Sequence, residues 1–149
     1  MNANLESDLF LDTNILVYAY DRSAGSKRTI SQKLVEDCWG NGNGCLSLQV
    51  LQEFYVTVTQ KITFPMDYRT ARQILADLAT WRLHSPEGGD LLQAIDLQQH
   101  YKLSFWDAMV VQSAARLGCE QIFSEDMSHG QNYGDVKVIN PFLNDSSIR

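Results

Sequence analysis

The sequence is poor in positive charge and contains no long hydrophobic run. Its 12 Lys and Arg residues stand against 18 Asp and Glu residues, which gives a formal net charge of −6 and an isoelectric point near 4.9. This balance offers no attraction to duplex nucleic acid or to an anionic membrane, and taken alone it argues against a nucleic-acid enzyme. The longest apolar stretch, residues 9–20, is interrupted by Asp12 and Asn14. We therefore expect no membrane-spanning segment and no membrane partner.

Cysteine is also scarce, with three residues at positions 38, 45 and 119. The number is odd and no Cys-x-x-Cys pair occurs, which favours small buried residues in a reducing compartment over disulfides or a zinc site. The first eight residues carry acids where a secretory signal peptide would carry Lys or Arg. Together these absences predict a cytoplasmic location.

The length of 149 residues suits one domain, which we expect to span residues 1–149. Short apolar runs alternate with longer segments of helical periodicity, a pattern typical of a mostly parallel sheet wrapped by helices. The predicted strands, four to five in number, are residues 9–11, 45–46, 81–83, 121–124 and 136–139. The predicted helices are residues 15–20, 26–38, 48–62, 67–80, 89–101 and 105–117, with a polar loop over residues 126–135. Ser47 is the expected N-cap of the third helix, and Gly40 and Pro65 are the expected stops of the second and third.

Two acidic residues follow predicted strands. Asp12 closes the strand at residues 9–11, and Asp126 follows the strand at residues 121–124 after one intervening residue, Glu125. Because ligands collect beyond the carboxyl ends of parallel strands, the two carboxylates would face one crevice if these strands are neighbours. Each residue also has a purely structural interpretation. Asp12 could cap the helix that follows it, and Asp126 could open an Asx turn.

Two further acidic residues lie on predicted helices. Asp107 is in the first turn of the segment at residues 105–117, which is so apolar that we expect it to be buried. Its spacing from Ser104 is that of a capping box, but a partly desolvated carboxylate with no basic residue within four positions needs a cation. Glu53 lies beside the apolar arc of the third helix, on an edge that Thr57 and Lys61 continue. An acid at such a position is usually solvated.

Four acids in one crevice would repel one another, so a structure that gathers them needs a hard cation. Mg²⁺ fits this description, with Mn²⁺ as the other possibility, because all the ligands are oxygens. A bound metal of this kind lowers the pKa of a water molecule and stabilises charge on a leaving oxygen. The chemistry that this pattern indicates is metal-assisted phosphodiester hydrolysis.

The order of these motifs resembles a PIN domain of the VapC toxin type. The resemblance rests on residues 9–14, on Glu53, on residues 103–108 and on residues 124–131, and it continues to residues 138–142. It implies a three-layer α/β/α sandwich and a magnesium- or manganese-dependent endoribonuclease. It also implies a homodimer, and a toxin held inactive by a cognate antitoxin in a type II toxin-antitoxin pair.

The same resemblance implies an acidic quartet of Asp12, Glu53, Asp107 and Asp126. Asp12, Asp107 and Asp126 would hold the metal, and Glu53 would bind it or position the attacking water. Asn14 and Ser124 would be accessory polar groups that orient carboxylates or water. The family more often has Thr where Ser124 stands, a departure that keeps the hydroxyl. Either Glu125 or Asp126 could be the fourth acid, and Asp126 fits the Ser-x-Asp spacing.

An RNA substrate also requires positive contacts. The densest basic cluster lies on and before the second predicted helix and comprises Arg22, Lys27, Arg28 and Lys33. A solvated helix face is the alternative interpretation of this cluster. Among the histidines, only His129 is close enough in sequence to Asp126 to approach the site. The alternative function is a non-catalytic PIN-like scaffold that acts through protein binding.

Metal binding changes what the net charge means. Two divalent ions bound by the quartet would offset most of the formal charge of −6. Without metal, we expect the protein to bind RNA poorly, because the uncompensated acids would repel phosphate.

Overall fold

The computed structural model describes residues 7–143, which form a central sheet of six strands flanked by six helices. The strands are β1 (Leu9–Leu11), β2 (Gly44–Ser47), β3 (Arg82–His84), β4 (Gln121–Phe123), β5 (Asn132–Tyr133) and β6 (Val136–Ile139). The helices are α1 (Thr13–Tyr20), α2 (Ser26–Asn41), α3 (Leu48–Gln60), α4 (Tyr68–Leu78), α5 (Gly88–Tyr101) and α6 (Phe105–Arg116). Over this part of the chain, no helix combines the length and the hydropathy that a membrane span requires.

The strands are arranged in the order β3-β2-β1-β4-β6-β5, and every neighbouring pair is parallel except β5 with β6. Among the helices, α1 packs against α2 and α3, α3 against α4, and α5 against α6. The predicted α/β class, with a mostly parallel sheet between helical layers, is confirmed.

The prediction of four to five strands is wrong, because β5 lies inside the segment that was expected to be a polar loop. Tyr133 pairs with Val136 and Asn132 with Lys137, so the chain reverses through a two-residue turn. Gly134 in that turn has φ of +62°, a value that glycine adopts without steric cost. A strand of two residues is too short to show the alternation that indicates a strand in a sequence. The sequence signal for this hairpin is the Gly134-Asp135 pair, typical of a turn, between Tyr133 and Val136, which are both buried.

The register of the central strands brings the first candidate residues together. Leu9 pairs with Gln121 and Leu11 with Phe123, so the residues that follow β1 and β4 leave the sheet side by side. The backbone N–H of Asp12 continues this pairing, since it donates to the carbonyl of Phe123 at 3.0 Å. The neighbouring strands that the crevice hypothesis required are therefore present.

Helix ends follow local capping chemistry. Ser47 accepts a hydrogen bond from the backbone N–H of Val50, which confirms it as the N-cap of α3. α2 passes the predicted stop at Gly40 and ends at Asn41, followed by Gly42 as its C-cap with φ of +64°. α3 ends at Gln60, well before Pro65. The other predicted helices agree with the structure to within two residues at each end.

The core includes β1, where Phe10 and Leu11 are fully buried in one hydrophobic cluster with Ile15 of α1 and Phe54 of α3. All residues of α6 from 108 to 114 are buried, as its lack of a polar face predicts. The three cysteines are free and buried, as predicted, in the same interior. At the start of β2, Gly44 lies so close to the Trp81 ring that a Cβ atom at this position would overlap it.

Candidate active site

Asp12 and Ser124 form the base of the site at the carboxyl ends of β1 and β4. The Ser124 hydroxyl donates to Oδ2 of Asp12 at 2.8 Å, and the backbone N–H of Thr13 donates to Oδ1 at 2.8 Å. Asp12 is also the N-cap of α1, so the structural interpretation of this residue is correct. The cap does not exclude a functional role, because the same side chain lines the cleft above the sheet.

Burial raises the pKa of the Asp12 carboxyl to about 6, because little water remains to solvate its charge. The hydrogen bonds from Ser124 and Thr13 oppose this effect, whereas the negative charges of Asp107 and Glu53 add to it. An acid that is buried among other acids is stabilised by a cation.

Asn14 joins α1 to the segment after β4. Its Nδ2 donates to Oδ2 of Asp126 at 3.1 Å, and its Oδ1 accepts from the backbone N–H of Glu125 at 3.0 Å. The turn itself is closed by Ser124, whose Oγ accepts from the backbone N–H of Asp126 at 3.2 Å. The turn is thus closed by the Ser124 hydroxyl, whereas the Asp126 carboxylate bonds to Asn14 and lines the cleft.

Glu53 reaches the site from α3. It is exposed, as its place beside the apolar arc predicts, and its Oε1 accepts from the Thr13 hydroxyl at 2.8 Å. Sequence reasoning did not single out Thr13, although its position directly after Asp12 was a signal. The contact fixes Glu53 beside the residue that follows Asp12.

Asp107 enters from the first turn of α6. Ser104 caps this helix by accepting the backbone N–H of Asp107 at 3.1 Å, as the capping-box spacing predicts. Partial burial raises the pKa of Asp107, Ser104 opposes the increase, and the negative charge of Asp126 contributes to it. The expected partial desolvation of this carboxylate is confirmed.

The four acids line one cleft of about 600 Å³. Its donors are carboxylate oxygens, which suit Mg²⁺ or Mn²⁺, and the desolvated Asp12 would gain from a cation. Within residues 7–143, however, no three His, Cys, Asp or Glu side chains are close enough to ligate one ion together. The arrangement therefore fits an ion that keeps several waters and binds through one or two carboxylates.

Glu125 occupies a different environment from Asp126. Lys27 forms an ion pair with Glu125, and the Tyr18 hydroxyl donates to the same carboxylate. Burial works to raise the pKa of Glu125, but the hydrogen bonds from Lys27 and Tyr18 outweigh it and hold the pKa below its usual value. Glu125 is thus engaged by cationic and phenolic partners.

The basic residues that the sequence offered as RNA contacts lie elsewhere. Lys27 is paired with Glu125, and Lys33 with Asp37 at 2.8 Å on the exposed face of α2. Arg22 and Arg28 line a separate cavity, where the Arg22 guanidinium lies 4.8 Å from the centre of the Phe64 ring. A phosphate contact by these four residues stays a prediction.

Besides Thr13, the cleft residues that the sequence did not indicate as site residues include Tyr18, Lys61 and Trp106. Periodicity places Lys61 on the same edge of the third helix as Glu53, but the sequence does not show whether that edge faces the other acids. His129 was the histidine nearest to Asp126 in sequence, yet its Nδ1 accepts from the backbone N–H of Asn140 at 3.0 Å and it does not line the cleft.

Comparison with known proteins identifies this architecture. The family model described as PIN domain matches residues 9–131. The chain belongs to the PIN-domain family. None of the curated proteins matches it in sequence. The PIN fold also agrees with the α/β/α layers and with the place of the acidic cleft at the carboxyl edge of the sheet.

Solved structures share the fold of this PIN domain at low sequence identity. A toxin-antitoxin complex from Klebsiella pneumoniae matches with a TM-score of 0.67 and 22% identity over 91% of this chain and 98% of that one. The sarcin-ricin loop cleaving toxin VapC20 of Mycobacterium tuberculosis matches with a TM-score of 0.62 and 18% identity, over 80% and 90% of the two chains. FitAcB from Neisseria gonorrhoeae matches with a TM-score of 0.59 and 12% identity, over 91% of this chain and 99% of that one.

Proposed function

We propose that this PIN domain is a divalent-metal-dependent endoribonuclease that hydrolyses RNA phosphodiester bonds. The observation that carries the proposal is the cleft that the buried Asp12 lines together with Glu53, Asp107 and Asp126, where no basic side chain from residues 7–143 pairs with the Asp12 carboxylate. The likeness of the fold to an RNA-cleaving toxin supports the choice of RNA.

In this mechanism the four acids have two roles, which are to hold a cation and to position water. Asp12, Asp107 and Asp126 hold Mg²⁺, or Mn²⁺ in its place, directly or through water. The bound ion supplies an acidified water and stabilisation of charge on the leaving oxygen. Glu53, fixed by Thr13, binds the ion or orients the attacking water.

The accessory polar groups keep the carboxylates in place. Ser124 holds Oδ2 of Asp12 and the backbone of Asp126, and Asn14 holds the Asp126 carboxylate. Both act as positioning residues in the proposal, because each forms a hydrogen bond with a carboxylate that would bind the metal.

A cleavage assay on structured RNA tests the proposed chemistry. We expect wild-type protein to cleave with Mg²⁺ and to lose activity with a chelator, and we expect Asp12→Asn and Asp107→Asn to lose more than about 100-fold. Asp96→Asn, an exposed acid on α5 outside the cleft, is the matched control and should cleave normally. Full activity in either cleft variant would refute the mechanism. Partner binding without metal-stimulated cleavage would instead favour the non-catalytic scaffold.

The choice between Glu125 and Asp126 is tested in the same assay. We propose Asp126 as the fourth acid, since it lines the cleft while Lys27 and Tyr18 occupy Glu125. Asp126→Asn should therefore lower cleavage more than Glu125→Gln at equal protein stability. The opposite ranking would assign the role to Glu125.

We further propose that the domain is the cytoplasmic toxin of a type II toxin-antitoxin pair and acts as a homodimer. The fold neighbours described as a toxin-antitoxin complex and as a toxin support this proposal. A small open reading frame beside the gene should encode a protein that binds this domain and suppresses its cleavage of RNA. Light scattering of the purified domain should give twice the monomer mass, and a monomer would contradict the dimer.

A further inference from the structure

The cleft extends beyond the four acids and carries two residues that the proposed metal chemistry does not use. Trp106 stands beside Asp107 at the start of α6, and Lys61 follows the last turn of α3. Gln49 and Gln52 line the same cleft between the two helices. These residues are suited to contact a polymer that runs past the reaction centre.

Trp106 presents an aromatic surface to the solvent-filled cleft. The residue is 61% exposed, and the Phe105 ring packs against the indole edge to face, with 4.9 Å between the ring centres and 75° between the ring planes. The amide of Gln49 also donates to the Trp106 carbonyl at 3.5 Å. Phe105 thus contacts the indole and Gln49 holds the backbone of Trp106, while most of the residue remains exposed and available to a stacking base.

Lys61 is the only basic residue among the described residues that line the cleft. It continues the edge of α3 on which Glu53 lies, eight residues further along, which places it about 12 Å along the helix axis from that acid. Its exposed ammonium makes no ion pair with any residue of the 7–143 range, whereas Lys27 and Lys33 are both paired. A lysine at this distance would meet a phosphate that flanks the scissile one along the strand.

We infer that the cleft binds single-stranded RNA through two contacts outside the acidic site, a base stacked on Trp106 and a flanking phosphate held by Lys61. The inference rests on the proposed ribonuclease function and adds two residues that would hold the RNA outside the acidic site. An indole can stack only on a base that has left its duplex neighbours, so the contact selects loops and single strands.

Binding measurements with a labelled single-stranded RNA of about 10 nucleotides test the stacking contact. Ca²⁺ replaces Mg²⁺ so that the metal charge is present, and gel analysis verifies that the RNA stays intact. Trp106→Ala should weaken binding roughly 5- to 150-fold, and Trp106→Phe should recover most of it because a ring remains. Trp39→Ala, which removes a tryptophan that is 46% exposed in another cavity, is the control and should bind normally.

Tryptophan fluorescence provides a readout that a merely structural role of Trp106 would not change. Stacking on a base should quench part of the emission when RNA is added to wild-type protein. Trp39→Phe should retain this quenching, and Trp106→Phe should lose it while still binding RNA. The same RNA annealed to its complement should bind with little dependence on Trp106.

Salt dependence tests Lys61. Lys61→Met should lower the slope of log affinity against log salt by about 0.7, the value for one phosphate contact on a single strand. Lys33→Met, which removes a lysine already paired with Asp37, should leave the slope unchanged. A lower slope in Lys33→Met alone would overturn the assignment to Lys61 and return the phosphate contact to α2.

The outcomes separate this inference from the proposed function. If wild-type protein cleaves RNA and Trp106→Ala binds as tightly as wild type, the nuclease stands and the inference is overturned. If binding depends on Trp106 and Lys61 but no RNA is cleaved, the inference stands and the nuclease fails. If the protein neither binds nor cleaves RNA, both fall.

Discussion

Replacing Asp12 with asparagine should stabilise the metal-free protein at neutral pH while removing its proposed nuclease activity. The Asp12 side chain is 7% exposed, and burial raises the pKa of its carboxyl from 3.8 to about 6. Asparagine has nearly the same shape but carries no charge. It can still accept one hydrogen bond through its oxygen, from Thr13 or from Ser124.

The size of the effect follows from linkage. Between the pKa of the unfolded chain and the pKa of the folded protein, the folded state binds more protons, so rising pH destabilises it. The difference between a pKa of 3.8 in the unfolded chain and about 6 in the folded protein lowers the free energy of unfolding by roughly 3 kcal/mol at pH values above the higher pKa. At pH values below the lower pKa it has no effect. Asp12→Asn removes this penalty, and a gain of roughly 3 kcal/mol would raise the melting temperature by roughly 6 to 12 °C.

Urea unfolding in the presence of a chelator measures the gain at about pH 4 and about pH 7. We expect the variant and the wild type to be equally stable at the lower pH and the variant to be more stable at the higher one. Asp96 is an exposed acid on α5, and Asp96→Asn should change the free energy of unfolding by less than about 0.5 kcal/mol at both pH values. A variant that gains nothing at neutral pH, or gains equally at both, would refute the assignment of a buried charge penalty to Asp12.

Three further outcomes are expected. Gly44→Ala should lower the free energy of urea unfolding by about 1–3 kcal/mol, because the added methyl group overlaps the Trp81 ring. Gly40→Ala, in open space on α2, should raise it by about 0.5–1 kcal/mol, and equal effects of the two substitutions would contradict the packing at Gly44. Mg²⁺ at 100 times its dissociation constant should stabilise wild-type protein by about 2.7 kcal/mol in a thermal scan, and Asp12→Asn should show a much smaller shift. Ser104→Ala should cost about 1 kcal/mol by removing the N-cap of α6, and Ser104→Asp should retain most of that stability in thermal unfolding followed by circular dichroism.

Much of the fold could be predicted because its signals are local. The strand at β1, the cap at Ser47 and the buried face of α6 each follow from a few adjacent residues, and the structure has all three. The two-residue strand β5 was missed because so short a segment has no period, and only its pairing with β6 defines it. Local chemistry also set the helix ends, where Gly42 rather than Gly40 adopts the left-handed conformation.

The candidate site was less accessible, because its decisive contacts join residues far apart in sequence. Asp12 and Ser124 meet only through the register of β1 and β4. The different environments of Glu125 and Asp126 depend on Lys27, nearly a hundred residues away. No local pattern distinguishes two adjacent acids when the partner that separates them lies on another helix.

The N-cap formed by Asp12 has a consequence for judging related proteins. Asparagine would cap α1 as well as aspartate does and would carry no buried charge, so the cap explains a polar residue at this position but not its negative charge. Glu53 is exposed, and among residues 7–143 its side chain hydrogen-bonds to Thr13 alone, so the fold has less need of it. A relative that keeps the cap but replaces Glu53 should therefore be tested as a folded, inactive decoy able to sequester the same protein partner.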